Sequence, residues 1–405
     1  MEMDDRIRDH LNQFNLDLRI SNNGRFMDQK VTPDVLSFMS DCICNYIAGD
    51  INEEFTVYDI WNSSYFGKNV QLIFSKPSVE NETVTHEYDK FIAQPIKTLE
   101  YAGILIAVDI HRRPIHYKVQ NLEFLQYIAL KEIYALNFLH LYLGKVLKDS
   151  GFIEHINRFI SDCNSRNMDE SKFQDLKSTY QRFIIGNTLI NTKVEVNRIF
   201  TKVLNVFSAL HNVQGTIKGR LSDRPIYYRD LMYNRINFRD LEKDKGVSRQ
   251  EASIRIIPDE TMAYNQYVES KAIRIIREKY KQSEAKDDLA MGAADHVHHI
   301  FPSHEFPRIV HYLENLIKLT AGQHLSRAHP NGNTRIISRD YQLVCLMGKS
   351  RSIQHSLSRG EFLYSKPSFI YVIIYGLKMG SGSPFTPNMN FEQIRSQLQT
   401  EYKKL

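Results

Sequence analysis

The chain has 405 residues, of which 42% are apolar and 24% charged, and its 52 Lys and Arg against 47 acids give a net charge of +5. At about 150 residues per domain, this length implies roughly two to three domains and excludes a single small module. The composition excludes fibrous and wholly disordered chains, and the mild positive charge names no polyanionic partner until its distribution is known.

The first ten residues carry Glu2, Asp4, Asp5 and Asp9 where a signal peptide needs a basic start and an apolar run, so a cytoplasmic location is expected. The most apolar stretch, Phe124 to Leu147, is interrupted by Lys131, Glu132, Asn137 and His140, which predicts a buried helix and no membrane span. Four cysteines are too few for a disulfide scaffold. The one-residue gap between Cys42 and Cys44 matches no common zinc spacing, and both read as buried thiols.

Thr32-Pro33-Asp34 opens a first helix, with Val35, Leu36, Phe38, Met39, Cys42 and Ile43 on its buried side. Phe55 to Trp61 suggests a short second helix. Tyr88, Phe91, Ile92, Ile96 and Leu99 have helical spacing for a third, which stops at Gly103. Ile104 to Asp109 and Ile115 to Val119 then read as two strands joined by a basic tip containing Arg112 and Arg113. Three helices followed by a basic hairpin is the order of a winged helix-turn-helix, and the same order also occurs in α+β domains that bind no DNA.

From Asn121 to about Asn212 the pattern is largely helical. Thr192 and Glu195 have capping-box spacing ahead of Ile199, Phe200, Val203, Leu204, Val206 and Phe207, and the polar run Ser161 to Thr179 reads as a surface connection. Between Ile217 and Arg249, nine basic residues, among them Arg220, Arg235 and Arg239, face five acids. Tyr227, Tyr228, Tyr233 and Phe238 lie among them, a mixture suited to phosphate contacts and stacking, or to a solvated helix face laced with ion pairs.

Histidine carries the most information. Seven of the 15 histidines (His296, His298, His299, His304, His311, His324 and His329) fall in the 35 residues from Asp295 to His329, which marks a candidate metal or catalytic site. Ala294 to Ile300 reads as a strand stopped by Pro302, Asn315 to Thr320 alternates as a second strand, and Ala321 onward reads as a helix ending near Pro330.

With His298-His299-Ile300-Phe301-Pro302 on the first strand, Asn315-Leu316 opening the second and His324 nine residues on, the segment resembles the HNH nuclease motif, the ββα-metal fold. Gly24 to Asp34, Leu231 to Arg239 and Gln323 to Thr334 look like segments of HNH-type type II restriction endonucleases. The resemblance implies that His299 is the general base, that Asn315 orients the reacting water, and that His298 and His324 ligate a divalent ion. Many family members have Asp at the position of His298. Colicin-like members have a further His four residues after the one matching His324, where this chain has Ala328 and then His329, a third ligand only if the register shifts by one. Asp295-His296 forms a competing pair, without a proline at the right distance. No CxxC pair flanks the motif, so no structural zinc is expected.

The expectation is therefore an α+β multidomain chain: a winged-helix-like DNA-recognition domain at 1–120, a helical middle at 121–250 with its basic segment at 217–249, and a nuclease domain at 251–405 with the motif at 295–334. The expected activity is metal-dependent, sequence-specific cleavage of double-stranded DNA as a restriction enzyme. Alternatives are a nicking or homing-type HNH nuclease, and a DNA-binding regulator with a degenerate module. One divalent ion (Mn, Ni, Co, Zn or Mg) is expected per module. Arg112, Arg113, Arg220, Arg235 and Arg239 are the expected DNA contacts, and a homodimer is expected because one metal centre cuts one strand at a time.

Overall fold

Local chemistry sets most helix ends. A computed structural model describes residues 2–74, 76, 78–79, 85–109, 111, 113–233, 257–329, 337–380 and 382–404. Arg112, Arg235, Arg239 and Phe238 lie outside the described residues. The fold mixes helices with small antiparallel sheets, compatible with an α+β class, and divides into two units, Met1–Ser253 and Ile254–Leu405. Among the described residues no helix is long and apolar enough to cross a membrane.

The first unit begins with α1 (Met3–Leu11), α2 (Leu18–Ser21) and α3 (Pro33–Ile47). Pro33 sits in the first turn of α3, where its missing N–H is no loss, and Ala48 ends the helix in the left-handed region at φ 46°. Next come α4 (Val57–Asn62), opened by a reciprocal Thr56–Asp59 capping box, α5 (Ser64–Phe74) and α6 (Thr85–Tyr101). Strands β1 (Leu105–Ala107) and β2 (Tyr117–Val119) pair antiparallel, Leu105 opposite Val119. The expected helices and hairpin are present, and α5 is an additional helix between the second and third.

The apolar run after Asn121 folds as two helices, α7 (Leu122–Leu130) and α8 (Glu132–Asp149), separated where Lys131 is extended (φ −145°, ψ 143°). Both pack on α3, and residues 1–120 and 121–250 fall within the one compact unit Met1–Ser253. Two sequence expectations are corrected here. Ser161 to Thr179 is mostly helical, in α9 (Ile153–Asn164) and α10 (Glu170–Asn187); its polar residues are the outer faces of helices whose Phe159, Phe173 and Leu176 are buried. Thr192 does precede α11 (Lys193–His211), but its side chain makes no cap, and Glu195 instead receives Arg25 Nη2 at 2.7 Å. The first half of the basic segment is a hairpin, β3 (Gln214–Ile217) and β4 (Arg220–Pro225), turned by Lys218 and Gly219, both at positive φ.

The second unit starts with α12 (Ile257–Lys279). Strands β5 (His296–His299) and β6 (Leu316–Leu319) pair antiparallel with His298 opposite Ile317, and α12 packs against both. A π-helix, Gln323–Ala328, follows β6, and then α13 (Arg339–Ser358), α14 (Lys366–Gly376) and α15 (Phe391–Tyr402). A buried ion pair ties α13 to the loop before β5: Lys349 Nζ donates to Glu284 Oε1 at 2.7 Å, and Glu284 Oε2 accepts from Lys318 N at 2.8 Å. Gly376 lets α14 lie against Phe301, whose ring would be 2.4 Å from an added Cβ.

Candidate metal centre

On β5, successive side chains face opposite sides of the strand. His296 and His298 share one face and Val297 and His299 the other. His298 is buried and points at the helix that follows β6, its ring centroid 5.2 Å from that of His324 and 4.9 Å from that of His329.

The start of that helix is pinned by Gln323, which is fully buried. Its Oε1 accepts from Thr320 N at 3.0 Å and Ser283 Oγ at 2.6 Å, and its Nε2 donates to Ala285 O at 3.0 Å. The first turn is α-helical, His324 N donating to Thr320 O; the next is wider, with His329 N donating to the carbonyl of His324 five residues back at 3.1 Å. That extra residue places His329 beside His324, their rings 4.8 Å apart at 88°. His298, His324 and His329 each offer a ring nitrogen, and these atoms lie within 4.8 Å of one another.

Burial, followed by the neighbouring imidazoles His324, His329 and His299, holds the His298 pKa well below its ordinary value. Burial, then His329 and His296, lowers that of His324 to about 4. Both rings are therefore neutral near pH 7 and keep a lone pair. Among the described residues, His298 Nε2 and His324 Nδ1 are buried without a hydrogen-bond partner. A buried polar atom left unsatisfied costs about 1–3 kcal/mol, and two such atoms in one cluster of neutral imidazoles have the chemistry of a cation site. The donor set fits the divalent ion expected from the sequence.

His299 faces the loop between the strands. Its Nε2 lies 3.2 Å from Val310 O and 3.4 Å from Glu269 Oε1 of α12. Burial lowers its pKa, against the raising influence of Glu269 and the Val310 carbonyl. Asn315, also fully buried, clamps the same loop: its Oδ1 accepts from Phe301 N at 2.9 Å, and its Nδ2 donates to Phe301 O at 3.0 Å and Ile309 O at 3.2 Å. With both amide hydrogens on backbone carbonyls, Asn315 acts on the loop and has no hydrogen left for water.

The remaining histidines stand apart from the trio to different degrees. His296 lies beside His324 in a tilted arrangement with centroids 4.9 Å apart, His304 is exposed beside Glu305, and Asp295 is exposed and outside the cluster. Arg113 is exposed on the β1–β2 connection, and Arg220 is exposed where β4 leaves its turn. Arg224 is committed internally, bonded to Asp230 at 2.6 Å and stacked on Tyr227. Sequence reasoning missed Glu269 and Val310, which no spacing connects to His299. It also missed the β3–β4 hairpin, although Lys218-Gly219 between β-prone residues was a usable turn signal.

Comparison with protein-family models, with curated proteins and with solved structures finds no match for this chain.

Proposed function

We propose that this protein is a metal-dependent endonuclease of the HNH type, cutting phosphodiester bonds of double-stranded DNA at a specific sequence as a restriction enzyme. The observation that carries the reading is the convergence of His298, His324 and His329, two of them with orphaned buried nitrogens, on a strand–strand–helix unit whose next residue is His299. The order of these elements supports the ββα-metal reading that the sequence suggests.

The three imidazoles would hold one divalent ion, which supplies charge stabilisation at a scissile phosphate and its leaving oxygen. The protein's own residues do the rest. Two oxygens face Nε2 of His299, so this nitrogen carries the proton of the neutral ring, and Nδ1 is left to accept one from an attacking water. Asn315 keeps the Val310 carbonyl in place by bonding Phe301 and Ile309 on either limb of the loop. In the first unit, the α3–α6 helices with the β1–β2 hairpin would serve as a winged-helix-like recognition element. Arg113 and Arg220, with Arg112, Arg235 and Arg239, would meet the phosphates.

Among the described residues there is one such histidine cluster per chain, so a double-strand break calls for a homodimer and a monomer would nick. The test is incubation of supercoiled plasmid with the protein and Mn²⁺, with DNA binding measured in parallel. His299→Ala is expected to lose about 10²–10⁴-fold in cleavage rate while retaining binding. Binding with no cleavage by the wild type under any divalent ion would favour the regulator reading instead.

A further inference from the structure

We propose that Glu269, supplied by α12 outside the strand–strand–helix unit, is a positioning residue that fixes the orientation and tautomer of His299. The inference rests on the nuclease reading for its consequence in catalysis, but its geometry stands by itself.

A neutral imidazole carries its proton on one nitrogen, and the partners of that nitrogen decide which. At His299 both partners are oxygens and both lie at Nε2: Val310 O at 3.2 Å and Glu269 Oε1 at 3.4 Å. Were Nε2 the unprotonated atom, its lone pair would face a carbonyl and a carboxylate, so the arrangement selects the Nε2–H tautomer and frees Nδ1. The two partners come from different places. Val310 belongs to the loop clamped by Asn315, whereas Glu269 rides on a helix that packs across β5 and β6. Val310 O takes the hydrogen bond and the Glu269 carboxylate lies beside it at 3.4 Å, so rotation of the ring about its Cα–Cβ bond would carry Nε2 away from both oxygens.

Glu269 has no competing assignment. Among the described residues its carboxylate makes no ion pair or hydrogen bond other than the contact with His299. Its side chain is 31% exposed and that of His299 18%, so water reaches the pair incompletely. A surface carboxylate there for solubility alone would have no reason to turn toward a half-buried ring. The logic parallels the carboxylate that holds the histidine of a serine-protease triad in its working tautomer.

The experiment compares wild type, Glu269→Ala, Glu269→Gln and His299→Ala as full-length chains, with two readouts. In the first, single-turnover plasmid cleavage with Mn²⁺ should fall about 10- to 100-fold in Glu269→Ala with the DNA Kd unchanged. Glu269→Gln, which keeps an oxygen toward Nε2, should restore most of the rate. In the second, long-range ¹⁵N–¹H spectra of histidine-labelled, metal-free protein report the tautomer, with the His299 signals identified by their absence in His299→Ala. Wild type and Glu269→Gln should show Nε2–H, and Glu269→Ala a mixture. If Glu269→Ala does not fold, Glu269→Asp withdraws the carboxylate by one methylene and should behave in its place. An unchanged tautomer in the Ala or Asp variant overturns the proposal, as does a wild-type cleavage rate. If the wild type cleaves nothing, the nuclease reading fails, and the tautomer comparison still decides the role of Glu269.

Discussion

The backbone N–H of His329 donates to the carbonyl of His324 across five residues at 3.1 Å, and this one wide turn sets the two imidazoles 4.8 Å apart. In an ordinary α-helix residues four apart share a face, and a histidine five residues on would lie off it. The π-turn absorbs the extra residue and recruits His329 to the cluster.

His329→Ala should therefore weaken Mn²⁺ or Ni²⁺ binding at least about 10-fold, as should His298→Ala and His324→Ala. His296→Ala, which removes a neighbouring tilted ring and no member of the trio, should change it much less. Isothermal titration of the four variants checks this. Equal effects at His296 and His329 would show that the trio is wrongly drawn.

A nitrogen-rich site also sets the choice of ion. Imidazole suits Mn²⁺, Ni²⁺, Co²⁺ and Zn²⁺, whereas Mg²⁺ prefers oxygen. Activity should appear at lower concentrations of Mn²⁺ or Ni²⁺ than of Mg²⁺ in parallel titrations. A preference for Mg²⁺ would point to a carboxylate ligand in place of an imidazole.

Asn315 and Phe301 make a stability prediction. Asn315→Ala strips partners from the buried Phe301 N–H and from the Phe301 and Ile309 carbonyls, and should cost about 3 kcal/mol in denaturant unfolding of the second unit. A residue acting on water alone would leave that transition in place. Gly376→Ala drives a methyl into the Phe301 ring and should cost about 1–3 kcal/mol in the same experiment.

The first unit carries a pH dependence of its own. His140 lies against Phe207, ring centroids 5.2 Å apart, and burial, followed by His211, lowers its pKa to about 4. Between pH 6.5 and about 4 the unfolded chain binds a proton that the folded chain does not, so stability is highest above this window and falls as the pH drops through it. The loss should reach up to roughly 3 kcal/mol and then level off. His140→Phe should flatten this part of the profile, measured by urea unfolding at a series of pH values.

Much of this was legible in the residues. Pro33 after Thr32 announced α3, and the spacing of Tyr88 to Leu99 announced α6, because capping and periodicity act within a few residues. The strand–strand–helix order around His298, His299, Asn315 and His324 was legible for the same reason, and the chain's histidine clustering marked the site. What stayed hidden depends on contacts between distant segments or on alternatives of nearly equal energy. Ser161 to Thr179 looked like a connection because a polar helix face and a polar loop have the same composition, and only burial of Phe173 against the helices around it distinguishes them. The wide turn that brings in His329 follows from the anchoring of Gln323 to Ser283 and Ala285, some forty residues earlier in the chain. Glu269 meets His299 because α12 packs across β5, a choice made by the buried faces of both elements and written in no local pattern. Sequence determined which residues could do chemistry, and tertiary packing decided which of them face one another.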